Sequence, residues 1–356
     1  MKYYKQLDGL RAVAIVGVLI AHWLQNSLEI KLLKNIPYGT GVTLFFVISG
    51  FLITKIILDF KEENREANRS NSASIKAFYI RRSLRIFPIY YLTIFFLLFI
   101  GFANTNDLFV WLVTYTTNIY MTLESTYIGS FTHFWSLAVE EQFYLMWVFV
   151  IVFINKKYNL PVILLFIVIS LFFMYYFRYF TEYWLANSLV ICQMHNLGSG
   201  ALLAYFVKYK PEFFKKLSIK YIKLTTLIVL IVFTFIYVVR KPEPLYESLA
   251  FLRNPILTLI YFLLVLIGIK NGFRGISKFL LENKISIYIG KISYGLYVYH
   301  LFMNPLFFNV INPYVRKPLT NYQYFLVFLV MNLVISTLSW YIIEKPLNSL
   351  KKYFKY

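Results

Sequence analysis

Arg11 and His22 stand with ten residues between them inside an apolar run, Leu10 to Leu24, and both are residue types that do chemistry. Eleven positions are about three helical turns, so the two side chains share one face, about 16 Å apart at ~1.5 Å per residue. With Arg11 at a membrane surface, His22 comes near the midplane of a hydrocarbon layer ~30 Å thick. An ionisable base at that depth is costly to keep and marks a functional site by default.

Three further clusters share this character. His133, Trp135, Ser136, Glu140, Glu141, Gln142 and Tyr144 fall within twelve positions of another apolar run. Ser136, Glu140 and Tyr144 follow at i, i+4 spacing and share a face, while Glu141 points about 100° away, towards a different partner. Two adjacent carboxylates in a span cost several kcal/mol unless paired, protonated or facing water; a plain glutamate–arginine tie between helices is the alternative role. In SYGLYVYH, Ser293, Tyr297 and His300 line up at i, i+4, i+7, with a hydrogen-bonded packing histidine as the alternative for His300. Arg82 and Arg85, just ahead of the third apolar span, converge at i, i+3 on a cavity open to the cytoplasm. Two planar guanidinium forks suit a phosphate-bearing ligand, and a lipid-gripping anchor is the alternative.

The elements that carry these residues are membrane spans. Hydrophobic residues make up 59% and charged residues 15% of 356, and the mean hydropathy is +0.62, far from a soluble globule. The start of the chain, with basic residues before an apolar run, mimics a signal peptide, but no small-x-small cleavage site follows and the run contains His22, so it reads as an uncleaved first span. The lone Cys192 rules out an intrachain disulfide framework and any cysteine-rich metal site, and is a poor thiolate nucleophile. No metal ligand set and no tightly bound cofactor are expected, and no P-loop, HExxH, EF-hand or GxGxxG pattern is visible.

Apolar runs at 10–26, 39–58, 86–103, 134–154, 160–177, 188–207, 223–239, 254–269, 288–311 and 322–343 predict about ten helices, in an all-α, polytopic integral membrane protein. Residues 108–121 form a doubtful eleventh, too short and too rich in Thr and Asn. Positive charge favours ten: with both termini cytoplasmic, 28 of the 36 Lys and Arg fall on inner segments. The formal net charge of +20 is therefore a topology signal directed at anionic membrane lipids, not at nucleic acid. Residues 102–132 then form an outer loop without Lys or Arg, and the polar stretch 59–77 reads as a mobile inner loop. A single membrane-embedded domain, 1–356, with no appended soluble domain, is expected.

LDGLRAVAIVGVLIAHW, GVTLFFVISGFLIT, FYIRRSLRIFPIYYL, HFWSLAVEEQFYLMW, SYGLYVYHLF and IIEKP, in this order, resemble the integral-membrane acyltransferase family 3, which O-acylates bacterial surface glycans. The resemblance covers about residues 5–346. Its arginine-or-lysine, ten residues, histidine motif falls on Arg11 and His22, its paired-arginine motif on Arg82 and Arg85, and its tryptophan-to-tyrosine stretch on Trp135 to Tyr144. It implies a multi-pass protein of the bacterial cytoplasmic membrane. The implied co-substrate is cytoplasmic acyl-coenzyme A, usually acetyl, and the implied acceptor is a carbohydrate hydroxyl on the outer side. Some members carry an extracytoplasmic hydrolase-like domain; this chain resembles the stand-alone members, and a separate extracytoplasmic partner stays open.

On this footing Arg82 and Arg85 would bind the polyanionic coenzyme, and neutral His22 would act as general base for the acceptor hydroxyl or as transient acyl carrier. Glu140 would orient or charge the imidazole, and Arg11 would pair with Asp8 or join the arginine pair. His133, Trp135, Ser136, Glu141, Tyr144, Tyr297 and His300 are the expected supporting or substrate-positioning residues. A transporter or flippase using the same buried His, Glu and Arg side chains is the competing reading, and a sensor or scaffold a weaker one. The acceptor, whether lipopolysaccharide, capsule, exopolysaccharide or a lipid-linked repeat unit, has no legible motif.

Overall fold

The computed structural model describes residues 3–30, 34–238, 243–315 and 317–356. Lys2, Lys31, Arg240, Lys241 and Arg316, which enter the charge count, lie outside the described residues. Among those described the chain is helical throughout, without strands, and nine helices are long and apolar enough to cross a membrane. They come from α1 (Lys5–Trp23), α2 (Gly41–Glu66), α3 (Ser72–Phe99), then, after two short helices α4 (Thr105–Val113) and α5 (Thr117–Leu123), from α6 (Phe134–Phe153), α7 (Asn159–Phe180) and α8 (Val190–Tyr209). After the short α9 (Pro211–Lys216) follow α10 (Ile219–Val238) and α11 (Glu243–Ile269). The amphipathic α12 (Gly275–Glu282) and the sixteen-residue α13 (Lys284–Tyr299) lead to α14 (Asn321–Ser339).

α13 lies at the ninth of the predicted runs, and it is not the continuous helix that the run 288–311 predicts. Past Tyr299 the chain from His300 to Ile311 changes pitch through a 3-10 turn, an α turn and a π turn. The chain returns to the end of the bundle at which it began: Tyr3, Asp8 and Asn348 line one vestibule, and Tyr356 stacks on Phe60. This is the end that carries the basic segments.

One expected mobile loop is ordered helix instead. α2 runs on to Glu66 and α3 starts at Ser72, so the polar stretch 59–77 is reduced to a turn. Its polar groups satisfy one another: Lys61 donates to the carbonyls of Ile151 and Ile154 at 2.6 Å, Tyr209 donates to Glu62, and Asn64 donates to Asn71 and Ser74. Within 102–132, the doubtful eleventh run 108–121 is two short helices and not a span. α4 and α5 bury Leu108, Leu112 and Met121 in the core, and neither is long enough to span. They are separated at Tyr115, which takes a positive φ of 54°.

Close backbone approach sets the bundle. α2 packs most extensively on α8, where a Cβ on Gly50 would meet the Leu197 carbonyl at 1.9 Å and one on Gly200 the Val47 carbonyl at 2.1 Å. Small residues at such crossings are how helices pack where lipid supplies no hydrophobic drive. α1 crosses α13 in the same way, with Gly290 against the Asp8 carbonyl. That crossing places Arg11 one turn further along α1, beside α3.

Candidate active site

Two cavities meet inside the bundle. A vestibule of roughly 1200 Å³, open solvent included, lies at the basic end, and an inner chamber of roughly 710 Å³ on the same measure lies deeper. Arg11, Arg82, Arg85, Leu52 and Tyr294 line both and so form the collar between them. The arginine pair is not ahead of its helix, as the apolar run 86–103 suggested, but near the middle of α3. The half of α3 that precedes Pro88 faces a polar cavity, so apolar content alone placed its start too late.

The collar's charges are unequally compensated. Arg11 is paired with Asp8 at 2.6 Å, and Tyr3 donates to the other Asp8 oxygen at 2.6 Å. Partial burial, followed by that hydrogen bond and the carboxylate charge, pushes the Tyr3 hydroxyl up to about 12, so it remains a donor. Arg81 turns away and donates to the carbonyls of Lys351 and Phe354. Among the described residues, neither Arg82 nor Arg85 makes a salt bridge or hydrogen bond; Arg82 only stacks over the rings of Tyr144 and Phe78.

Glu140 lies in the chamber wall, accepting from Ser49 at 2.8 Å and Tyr144 at 3.1 Å, within electrostatic reach of Arg82 and Arg85. It makes no hydrogen bond to His22, contrary to the expected pairing. Glu141 points elsewhere, as its helical position requires, within electrostatic reach of Tyr90, Tyr91, Tyr115 and Tyr294. Gln142 has a third role, donating to the Tyr115 carbonyl at 2.8 Å and exchanging hydrogen bonds with Asn118. It thereby fixes the break between α4 and α5. Trp135 is absent from the chamber lining and sits edge-on to Phe46.

At the chamber's far end the Ser136 and Tyr297 hydroxyls are 2.6 Å apart, and both also approach the His133 carbonyl, at 3.2 and 3.1 Å. The Tyr297 ring lies 5.3 Å from His300 and 5.6 Å from His133 between centroids. Three imidazoles then form a row: His133 to His300 is 4.7 Å and His300 to His22 is 5.0 Å. His133 and His300 are buried. His22 is exposed, in the last turn of α1, which stops at Trp23 rather than at 26. His22 ends this group of rings, 5.0 Å from His300, at the end of α1 remote from Asp8.

The structure thus gathers Arg11, Arg82, Arg85, Ser136, Glu140, Tyr144 and Tyr297 around one chamber, with Asp8 in the vestibule and His22, His133 and His300 beyond. Ser49 and Glu344 were not singled out from the sequence. Ser49 is one hydroxyl in an otherwise apolar run; Glu344, a buried carboxylate lining the vestibule, sits in the IIEKP segment, where an acid ending an apolar helix is the available signal.

A family model described as an acyltransferase domain matches residues 4–342, nearly the whole chain. The chain belongs to this family. Among curated proteins it is similar to O-acetyltransferase OatA of Staphylococcus aureus, in strains NCTC 8325 / PS 47 and COL, at 28% identity over 99% of this chain and 58% of the relative. It is also 28% identical, over 97% of its length and 57% of the relative, to a protein titled "Putative O-acetyltransferase" in strain COL. The chain therefore spans under two thirds of the length of these relatives. No solved structure gives a significant match. Family membership and the nine long apolar helices among the described residues make this acyltransferase-family chain a multi-pass, all-α membrane protein.

Proposed function

We propose that this chain is a membrane O-acyltransferase of the bacterial cytoplasmic membrane, moving an acyl group, in the first instance acetyl, from acyl-coenzyme A to a carbohydrate hydroxyl. The donor enters at the basic end, taken as cytoplasmic, and the acceptor meets the acyl group at the opposite end. One observation carries the reading. Arg82 and Arg85, both partly buried, converge on a cavity collar with no protein anion bonded to either among the described residues, so two positive charges at this collar are left uncompensated by the protein. A ligand bearing phosphates supplies the missing charge, and the planar fork suits its oxygens.

The remaining residues divide the work. The collar grips the coenzyme's phosphates, and the narrow chamber beyond takes the extended thioester arm. The Ser136–Tyr297 hydroxyl pair faces the chamber where the thioester carbonyl would arrive, as a donor to the oxygen that gains charge during attack. His22, beyond the chamber, takes the proton of the acceptor hydroxyl; the hydroxyl oxygen bonds to the acyl carbon, the carbon–sulfur bond breaks, and the thiolate leaves with that proton. The test is acetyl-coenzyme A binding by protein in nanodiscs. Replacing both arginines by glutamine is expected to weaken binding at least about tenfold, since a charge-assisted hydrogen bond contributes ~1.5–3 kcal/mol. Unchanged affinity would return the pair to a lipid-anchoring role.

A further inference from the structure

The three imidazoles carry a hydrogen-bonding constraint that identifies the partner of His22. His133 Nε2 lies 3.0 Å from the Val298 carbonyl, and His300 Nδ1 lies 2.6 Å from the Tyr297 carbonyl. A carbonyl oxygen only accepts, so the proton of neutral His300 is on the Nδ1 that faces the Tyr297 carbonyl. His300 Nε2 is therefore a bare lone pair, buried without a hydrogen-bond partner in a ring that is 0% exposed. His133, whose ring is 4.7 Å away, is engaged by the backbone of Val298 and Ser130 instead. A donor must come from elsewhere.

His22 is the nearest ring that has one. Its centroid is 5.0 Å from that of His300, and neither of its nitrogens is hydrogen-bonded to another described residue. That spacing allows a nitrogen-to-nitrogen contact of ~3 Å when the two atoms turn towards each other. The other unpaired donor nearby, the Trp23 indole N–H, belongs to a ring 6.3 Å from His300. Among the described residues no set of metal-ligating side chains converges closely enough to hold an ion. We propose that His300, held by the Tyr297 carbonyl, is the positioning residue for His22: its bare Nε2 accepts the His22 ring proton and so leaves the opposite His22 nitrogen bare as the reacting base.

This rests on the reading of His22 as the base, and it replaces Glu140 with a second histidine as the orienting group. An orienting acceptor sets the tautomer of a catalytic imidazole and costs turnover rather than binding when removed. The protein has four histidines, so nitrogen-15 histidine labelling in nanodiscs resolves each ring, at a pH where all are neutral. The expected spectrum has His300 protonated on Nδ1 and His22 as a single tautomer. In His300→Phe, His22 becomes a mixture of tautomers; in His300→Gln, whose side-chain oxygen can still accept, it stays single. Trp23→Phe leaves it single as well. His195, buried elsewhere against Ser170, reports whether each variant keeps its fold.

In transfer assays His300→Phe is expected to lose on the order of tenfold to a hundredfold in kcat at unchanged KM for acetyl-coenzyme A, with His300→Gln recovering most of it. A His22 tautomer indifferent to His300→Phe, or His300 protonated on Nε2, overturns the inference whatever the enzyme transfers. A His22 tautomer that responds as expected while His22→Ala still transfers acyl groups upholds the contact and removes the proposed function.

Discussion

The ring of His22 lies 5.0 Å from that of His300, while the carboxylate of Glu140 is bonded to Ser49 and Tyr144 on the other side of the Ser136–Tyr297 pair. Imidazole and carboxylate thus serve different ends of the site. Glu140→Gln is expected to disturb the donor chamber, where Ser49 and Tyr144 lose a charged acceptor, and to leave the His22 ring signals unmoved. A charged acceptor is stronger than a neutral one by ~1 kcal/mol, so donor affinity should change severalfold. A shifted His22 tautomer in this variant would restore the carboxylate as its partner.

The collar predicts a salt dependence. Acetyl-coenzyme A binding should weaken as ionic strength rises, because the vestibule that leads to Arg82 and Arg85 is open to solvent. Titrations at several salt concentrations should show a shallower slope in the variant with both arginines replaced by glutamine. Arginine-to-lysine replacement should recover only part of the affinity, since a point charge cannot reproduce a two-pronged bond. Equal slopes would mean that the phosphates sit elsewhere.

Gln142 is expected to matter for stability and little for binding. Its amide holds the Tyr115 carbonyl and Asn118 at the break between α4 and α5, and Gln142→Leu leaves the Tyr115 carbonyl and the Asn118 side-chain oxygen without that donor, while the Asn118 amide keeps the Ser188 carbonyl. An orphaned buried polar group costs ~1–3 kcal/mol. Thermal unfolding in detergent should show a lowered Tm with donor affinity near wild type; an unchanged Tm would show that the break holds without it.

The crossing of α1 and α13 supplies another test. A methyl at Gly290 would sit 2.1 Å from the Asp8 carbonyl, so Gly290→Ala must push the helices apart. Overpacking of this kind costs ~1–3 kcal/mol. It also displaces Arg11 from the collar and His22 from His300, so donor affinity and turnover should fall together with Tm. Gly39→Ala, whose methyl would meet Ala21 at an ordinary 3.7 Å, is the control and should be tolerated.

What could be read from the sequence follows the range of the interactions. The shared face of Ser136, Glu140 and Tyr144, the divergence of Glu141 and the convergence of Arg82 with Arg85 depend on helical spacing alone, and all three hold. The approach of His22 to His300 depends on how α1 packs against distant helices, and no local pattern carries it. Polar content misled at 59–77, where Lys61, Glu62 and Asn64 are satisfied by helix ends and neighbouring side chains rather than by water. The α4–α5 break is opaque for a similar reason: Tyr115 holds a positive φ because Gln142, remote in sequence, pins its carbonyl.

The proposed route takes acyl groups from coenzyme A at the arginine collar to a hydroxyl activated by His22. Its decisive measurement follows radiolabelled acetyl from acetyl-coenzyme A to glycan, with purified protein in vesicles, for wild type and His22→Ala. Wild type is expected to label glycan only when the acceptor is present, and His22→Ala to lose at least about a hundredfold of that rate while binding acetyl-coenzyme A normally. Near-normal transfer by His22→Ala, or no consumption of acetyl-coenzyme A by wild type with any carbohydrate acceptor, would rule that route out.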